Sequence, residues 1–478
     1  MTRRAWVRLD NASNIFLAAR SAADPKVFRL SAELDSEVDP QLLQQALDST
    51  YDRYRLYHAV LRAGVFWYYL QDSDLRPEVT AEDLQTCAPI YQDGRRDLLF
   101  RVMHHRRRIV LEVFHALADG TGALWFLSDL VTEYVRLRTA QGEPDHHATV
   151  AGQRPGTPAP HDPEDTAHAL TTDSFVHHFR RRRKRRVRRS QDPWAVAAFE
   201  REATPPALEV ADPDVEGGAP QTVEPTSAPA RSVHRIRGTR TPDNRTRAVE
   251  LTLPSRQLLD LAREIGVSPT MYLTGVFFEA VRRSTGDLGS APTLTASVPV
   301  NLRQFFPSTS ARNFFATIRI GHTYGTGADD LASVCRELEA QFRPQVTPQA
   351  LETSVRRFIR LERNPLLRVV PRPLKNMCLW LLNWHNNRGL TIAVSNLGRV
   401  TLPQEADGQV GRMGFHVSAV RPQLCAMSHA GQLTLTFTSP FIQTAHIREF
   451  ARLLSGQGAQ VTVAAARVTE AEIARAES

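Results

Sequence analysis

Cysteine is scarce: the 478-residue chain has four, Cys87, Cys335, Cys378 and Cys425, none in a C-x-x-C spacing. That excludes a zinc ribbon and a disulfide framework and leaves buried or incidental thiols. Long apolar runs are missing too. The most apolar late segment, Met377 to Trp384 (MCLWLLNW), is far too short to span a bilayer and has polar or charged residues on both sides. The opening stretch MTRRAWVRLDNASNIF is basic but has no continuous apolar core behind it, so no secretory signal is expected. The expected location is cytoplasmic, at most peripheral to a membrane. No G-x-S-x-G occurs, which argues against a serine hydrolase, and no internal repeat is visible. The histidine pairs at 104–105, 146–147 and 177–178 lack Cys, Asp or Glu at ligand spacing, so no metal is expected.

What is abundant is positive charge, and it is concentrated. The net charge is +8, yet Arg180 to Arg189 (RRRRKRRVRR) carries nine basic side chains and no acid, so the remainder is close to neutral. Such a block reads first as a solvated charge run, then as a candidate contact for an anionic membrane surface, then as a nucleic-acid contact. It holds no interleaved aromatics for stacking, and no reading motif occurs elsewhere, so no specific nucleic acid is expected.

With 42% hydrophobic residues the chain can bury two cores. From 27 to 137 strand-like and helix-like stretches alternate. VFRLSAEL reads as a strand, DPQLLQQALDSTYDRY as a helix opened by Asp39 and Pro40, AVLRAGVFWYYLQ as a hairpin, and FRVMHHRRRIVLEVF as two further strands. TGALWFLSDLVTEYVRL reads as a helix. From 139 to 246 proline becomes frequent and alternation vanishes, which predicts a largely disordered connector with a short basic helix around the arginine run. Order returns with the strand RAVELTLP, a helix stopped at Gly266, and a helix capped by Ser268 and Pro269. Further strands are read at LTASVPVNLR, FFATIRIGHTY, LTIAVSNLGRV, GRMGFHVSAV, QLTLTFTSP and AQVTVAA, with helices at ADDLASVCRELEAQF, onward to about Trp384, and at HIREFARLLSGQG. The expected organisation is α/β, α+β in each two-layer half: residues 1–138, the connector 139–246, and residues 247–478.

The stretch FHALADG, Phe114 to Gly120, lies where a strand gives way to a helix. A histidine at a strand end can project into a cleft, where a near-neutral imidazole is a competent general base. Asp119 either orients that ring or pairs with an arginine to hold the loop, and Gly120 is expected to let the backbone reverse. Alone, H-x-x-x-D-G is a weak motif; a structural strand-end histidine is the commoner case.

Set beside VFRLSAELDSEVDPQLLQQAL, GVFWYYL, SVPVNLRQFFPSTSARNFFATI and VSNLGRV, in that order, it resembles the chloramphenicol acetyltransferase-like acyltransferases, and among them the bacterial alcohol acetyltransferase-like and condensation-domain branch. The resemblance covers about residues 10–140 and 247–465. It implies two α/β halves with an active-site tunnel between them and His115 as the catalytic histidine of an HHxxxDG motif whose first position is here Phe114. It further implies that Asp119 is a structural aspartate paired with Arg303 of PVNLR, and that Ser395 and Asn396 of SNLG are oxyanion or tunnel candidates. No bound cofactor is implied. An acyl-CoA or acyl-carrier-protein thioester would be the co-substrate and an alcohol the acceptor. Amide formation of the condensation type, and a silent binding protein docking through the basic connector, are the alternatives.

Overall fold

The computed structural model describes residues 6–9, 11–142, 232–241, 245–290, 292–362 and 370–465. The arginine run 180–189 and most of the expected connector lie outside them. Of that connector, 232–241 is held against the second half: the His234 amide donates to Thr293 O at 2.9 Å and the Thr241 amide to Pro440 O at 3.0 Å.

Along the chain the elements are β1 (Trp6–Arg8), α1 (Asn11–Ala19), β2 (Val27–Leu34), α2 (Pro40–Arg53), β3 (Ala59–Ala63), β4 (Tyr68–Asp72), β5 (Val79–Ala81), β6 (Phe100–His105), β7 (Arg108–Phe114) and α3 (Gly120–Gly142). They continue with β8 (Arg247–Pro254), α4 (Ser255–Ile265), α5 (Pro269–Thr285), β9 (Thr293–Asn301), β10 (Phe315–Thr323), α6 (Leu331–Phe342), α7 (Pro348–Glu362), α8 (Arg372–Arg388) and β11 (Ile392–Arg399). Last come α9 (Gln404–Asp407), β12 (Val410–Val417), β13 (Gln423–His429), β14 (Gln432–Ser439), α10 (Ala445–Gly456) and β15 (Thr462–Ala465). Local chemistry sets several boundaries. Asp39 Oδ1 accepts from the amides of Gln41 and Leu42 at 2.8 and 3.2 Å ahead of Pro40, and the chain leaves α4 through Gly266 at φ 82°, a left-handed conformation that costs glycine little.

Each lobe is a sheet backed by helices. The first sheet runs β12-β2-β7-β6-β5, the second β10-β9-β11-β13-β14-β8-β15, and β1-β4-β3 form a small third sheet. Most pairings are antiparallel; β11 runs parallel to both β9 and β13. The apolar faces of β2 and β7 pack with α2 and α3 around Leu30, Leu111, Phe126 and Leu130, and the second core gathers Leu251, Phe277, Phe278 and Phe437 beneath α5 and α10.

The two sequence halves interlock. Strand β12 comes from the second half but adds to the first-lobe sheet, pairing antiparallel with β2 from Val417↔Phe28 to Val410↔Leu34. On the side of that sheet away from the apolar core, His416, Arg29, Glu112 and Arg101 stand in one cross-strand row. Glu112 is fully buried and accepts from Arg29 Nε at 2.7 Å, Arg101 Nε at 2.8 Å and the Cys87 amide at 2.7 Å. A buried carboxylate demands such a set of donors.

Candidate active site

His115 follows the last residue of β7. Its amide donates to Lys26 O at 2.8 Å, which continues the β2–β7 pairing one step and fixes the point at which the chain leaves the sheet. Phe114 is fully buried and stacks on Tyr91, rings 5.5 Å apart. The position before the histidine thus serves the core.

The imidazole sits among aromatic rings. Phe16 of α1 stacks on it at 3.9 Å with planes 15° apart, Phe28 of β2 meets it edge-on at 5.0 Å, and Phe315 of β10 lies at 5.9 Å. Burial lowers the His115 pKa below the usual histidine value; its own carbonyl oxygen and the charge of Asp119 oppose the shift, while Lys26 adds to it. Nδ1 is buried and makes no full hydrogen bond among the described residues. The ring is therefore held neutral near pH 7.

Asp119 organises the loop. Its Oδ1 accepts the Gly122 amide at 2.9 Å, capping α3, and its Oδ2 accepts both Arg303 Nη1 at 2.7 Å and the Phe314 amide at 2.8 Å. Arg303 follows β9, and its remaining donors reach Ser310 O at 2.8 and 3.2 Å and Arg312 O at 2.6 Å. The ion pair is nearly dry, with side chains 7% and 8% exposed. With both carboxylate oxygens taken, no hydrogen bond joins Asp119 to the imidazole among the described residues.

Gly120 differs from the sequence expectation. It opens α3 without a positive φ, so the turn there needs no left-handed conformation from it. A Cβ there would lie 3.0 Å from Leu397 Cδ2, which makes it a point of close approach to β11. Gly122 is the tighter position: a Cβ would stand 2.0 Å from Ala311 O.

Ser395 and Asn396 lie on β11, whose pairing register shifts between Asn396 and Arg399 and which meets Gly120 through Leu397. Asn396 shapes that irregular stretch. Its Oδ1 accepts the Gly398 amide at 2.8 Å, with Gly398 at φ 77°, and its Nδ2 donates to Thr270 Oγ1 at 3.1 Å. Ser395 stands beside Cys425 in the parallel register, and Cys425 packs into the first-lobe core, so this sheet face looks toward the first lobe.

Asn313 escaped the sequence reading. It is buried just before β10, and its Nδ2 donates to His115 O at 2.8 Å and to Ser13 Oγ of α1 at 2.9 Å. It thereby ties together the histidine, the helix that carries Phe16 and the loop held by Arg303. The only signal for it was its place in SARNFF, a polar residue directly before a strand. Among the described residues no group of histidine, cysteine and carboxylate side chains could hold a metal ion.

No protein-family profile and no curated protein sequence matches the chain. Solved structures do. Trichothecene 15-O-acetyltransferase from Fusarium sporotrichioides aligns over 95% of this chain and 94% of its own at 12% identity, TM-score 0.56. The first condensation domain of the CDA synthetase aligns over 95% and 96% at 14% identity, TM-score 0.54. Polyketide synthase associated protein 5 from Mycobacterium tuberculosis aligns over 95% and 98% at 15% identity, TM-score 0.53. Two interlocked lobes and a strand-end histidine at their junction thus accompany an end-to-end likeness of backbone, and the chain has the two-lobed fold of the condensation-domain and chloramphenicol acetyltransferase-like acyltransferases.

Proposed function

We propose that the protein transfers an acyl group from an acyl-CoA or acyl-carrier-protein thioester to an alcohol, directly, with His115 as general base. The observation that carries this reading is the desolvated, neutral imidazole of His115 on a loop anchored across the lobes by Asp119 and Arg303. With Nδ1 buried beside its own carbonyl, Nε2 is the nitrogen that presents a lone pair. Nε2 takes the hydroxyl proton as the oxygen attacks the thioester carbonyl. The C–O bond forms, the tetrahedral oxyanion collapses, the C–S bond breaks, and the leaving thiolate recovers the proton from the imidazolium. No acyl-enzyme is required. Ser395 is the candidate donor to the oxyanion, with Asn396 shaping the turn beside it.

The same base serves an amine acceptor, and the likeness to a condensation domain supports amide formation on the same footing. Incubation with labelled acetyl-CoA and a mixed library of alcohols and amines, read by mass spectrometry, separates the two. Label in esters supports the alcohol reading, label in amides the condensation reading, and label in neither after donors of several chain lengths counts against acyl transfer.

A further inference from the structure

Helix α8 is built inside out. Its half-buried stripe is formed by Lys375, Asn376, Leu379, Asn383 and Asn387, four of them polar. Two of these make contacts that fix the helix: Asn376 Nδ2 donates to Tyr68 OH at 3.0 Å, and Asn387 Oδ1 accepts from Arg421. Turned outward, ahead of a polar last turn with His385, Asn386 and Arg388, are mostly apolar residues. Leu374, Met377, Trp380, Leu381, Leu382 and Trp384 are each 45–55% exposed. An amphipathic helix that served the protein's own core would show the reverse arrangement. A contiguous apolar surface of this kind marks a contact with something else.

The surface extends beyond the helix. At the tip of the β3–β4 hairpin Val65 and Phe66 are 72% and 42% exposed, and Lys375 Nζ donates to Phe66 O at 3.3 Å. Trp67 lies between two cations, with the Arg8 guanidinium 3.1 Å and Lys375 Nζ 3.5 Å from its ring centre, which fastens β1, the hairpin and α8 to one another. Charge identifies the partner. Along α8 the sequence contains Arg372, Lys375 and Arg388 and not one acid. A second copy would set this acid-free, basic helix against itself, whereas an anionic lipid surface complements it. Tryptophans and leucines framed by arginine and lysine are the composition of a helix lying in a headgroup layer. At 17 residues α8 is not long and apolar enough to cross a membrane, so a bilayer contact through it would be along the surface.

We infer that α8 together with the β3–β4 tip is the surface by which this protein docks on an anionic lipid bilayer. The surface is one helix away from His115, because α1 packs against α8 and its Phe16 stacks on the imidazole. If His115 transfers acyl groups, a bilayer at α8 brings amphiphilic substrates to its side; that consequence rests on the function proposed above, while docking does not.

The test is flotation of the purified full chain with vesicles of phosphatidylcholine plus phosphatidylglycerol, and with phosphatidylcholine alone, in the absence of substrate. The wild type should float with the anionic vesicles. Trp380→Glu/Leu381→Glu should lower binding about tenfold or more, since it replaces inserted apolar groups with acids, and Val65→Glu/Phe66→Glu should weaken it through a separate element. Unchanged thermal melting certifies the fold of both variants. Deleting 180–189 should leave flotation in place. A wild type that stays off anionic vesicles, variants that float as well as the wild type, binding lost only with the 180–189 deletion, or a wild-type dimer that Trp380→Glu/Leu381→Glu splits into monomers without altering flotation would each overturn the inference.

Discussion

Asp119 and Arg303 are 184 residues apart in sequence and 2.7 Å apart in space. Their contact joins the start of α3 to the segment between β9 and β10, and the loop carrying His115 lies under it. A nearly dry pair with both carboxylate oxygens engaged is costly to break from one side, because the surviving charge stays buried. Asp119→Ala is therefore expected to cost about 3 to 5 kcal/mol in denaturant unfolding and to lose activity largely with the fold. Arg303→Lys keeps the charge but cannot reproduce the fork that reaches Asp119, Ser310 and Arg312, and should be weakened less. Full stability in Asp119→Ala with no activity would instead assign the carboxylate a part in the chemistry.

The two glycines of the loop make a sharper comparison. At Gly122 a methyl group would meet the backbone oxygen of Ala311, which cannot yield without moving the segment held by Arg303. At Gly120 it would meet the end of the Leu397 side chain, which can turn aside. Gly122→Ala should be clearly destabilising and inactive, and Gly120→Ala mild in both respects. Melting temperature and turnover of the two variants, measured side by side, check this.

Phe16 covers one face of the imidazole. Phe16→Ala admits water to His115, so its pKa should rise toward the ordinary value of about 6.5. The acid limb of the pH–rate profile, along which the base becomes protonated, should then move to higher pH with the alkaline side unchanged. An acid limb in the wild-type position would mean that Phe16 packs without tuning the base.

Acid should destabilise the protein before most carboxylates titrate. His446 on α10 is buried against Phe277, its Nε2 has no partner among the described residues, and burial lowers its pKa to about 4. The unfolded chain takes up a proton below about pH 6.5 and the folded one only near pH 4, so stability is complete above 6.5 and declines as pH falls toward 4. The loss from this residue is about 3 kcal/mol. His115 and His416, lowered by burial as well, act in the same direction. Unfolding free energies from pH 7 to pH 4 should show the decline, and His446→Gln should remove part of it.

How much of this was legible in the sequence follows from what each signal depends on. Asp39 with Pro40, Gly266, and Ser268 with Pro269 are local chemistry, and the helix ends stand at those residues. Strand β12 shows alternation in GRMGFHV, but alternation does not say which sheet a strand joins, and its partner β2 lies almost 400 residues upstream. Strand β13, QLCAMSH, was missed because both of its faces are covered and no polar alternation marks it. Helix α1 is nine residues long, too short for a clear period, though it brings Phe16 to the site. Asp119 and Arg303 were named together through a family resemblance, since no spacing rule joins residues so distant. The inside-out character of α8 could not be read beforehand, because MCLWLLNW looks the same whether its apolar side faces a core or a bilayer.

The most direct test of the central claim is thiol release from a panel of acyl-CoA donors and acceptors by the wild type and by His115→Ala, with both proteins shown to melt at the same temperature. The account predicts acceptor-dependent release of free thiol by the wild type and none above background by His115→Ala. Equal release by the two proteins, or none by the wild type with any donor and acceptor, would contradict it.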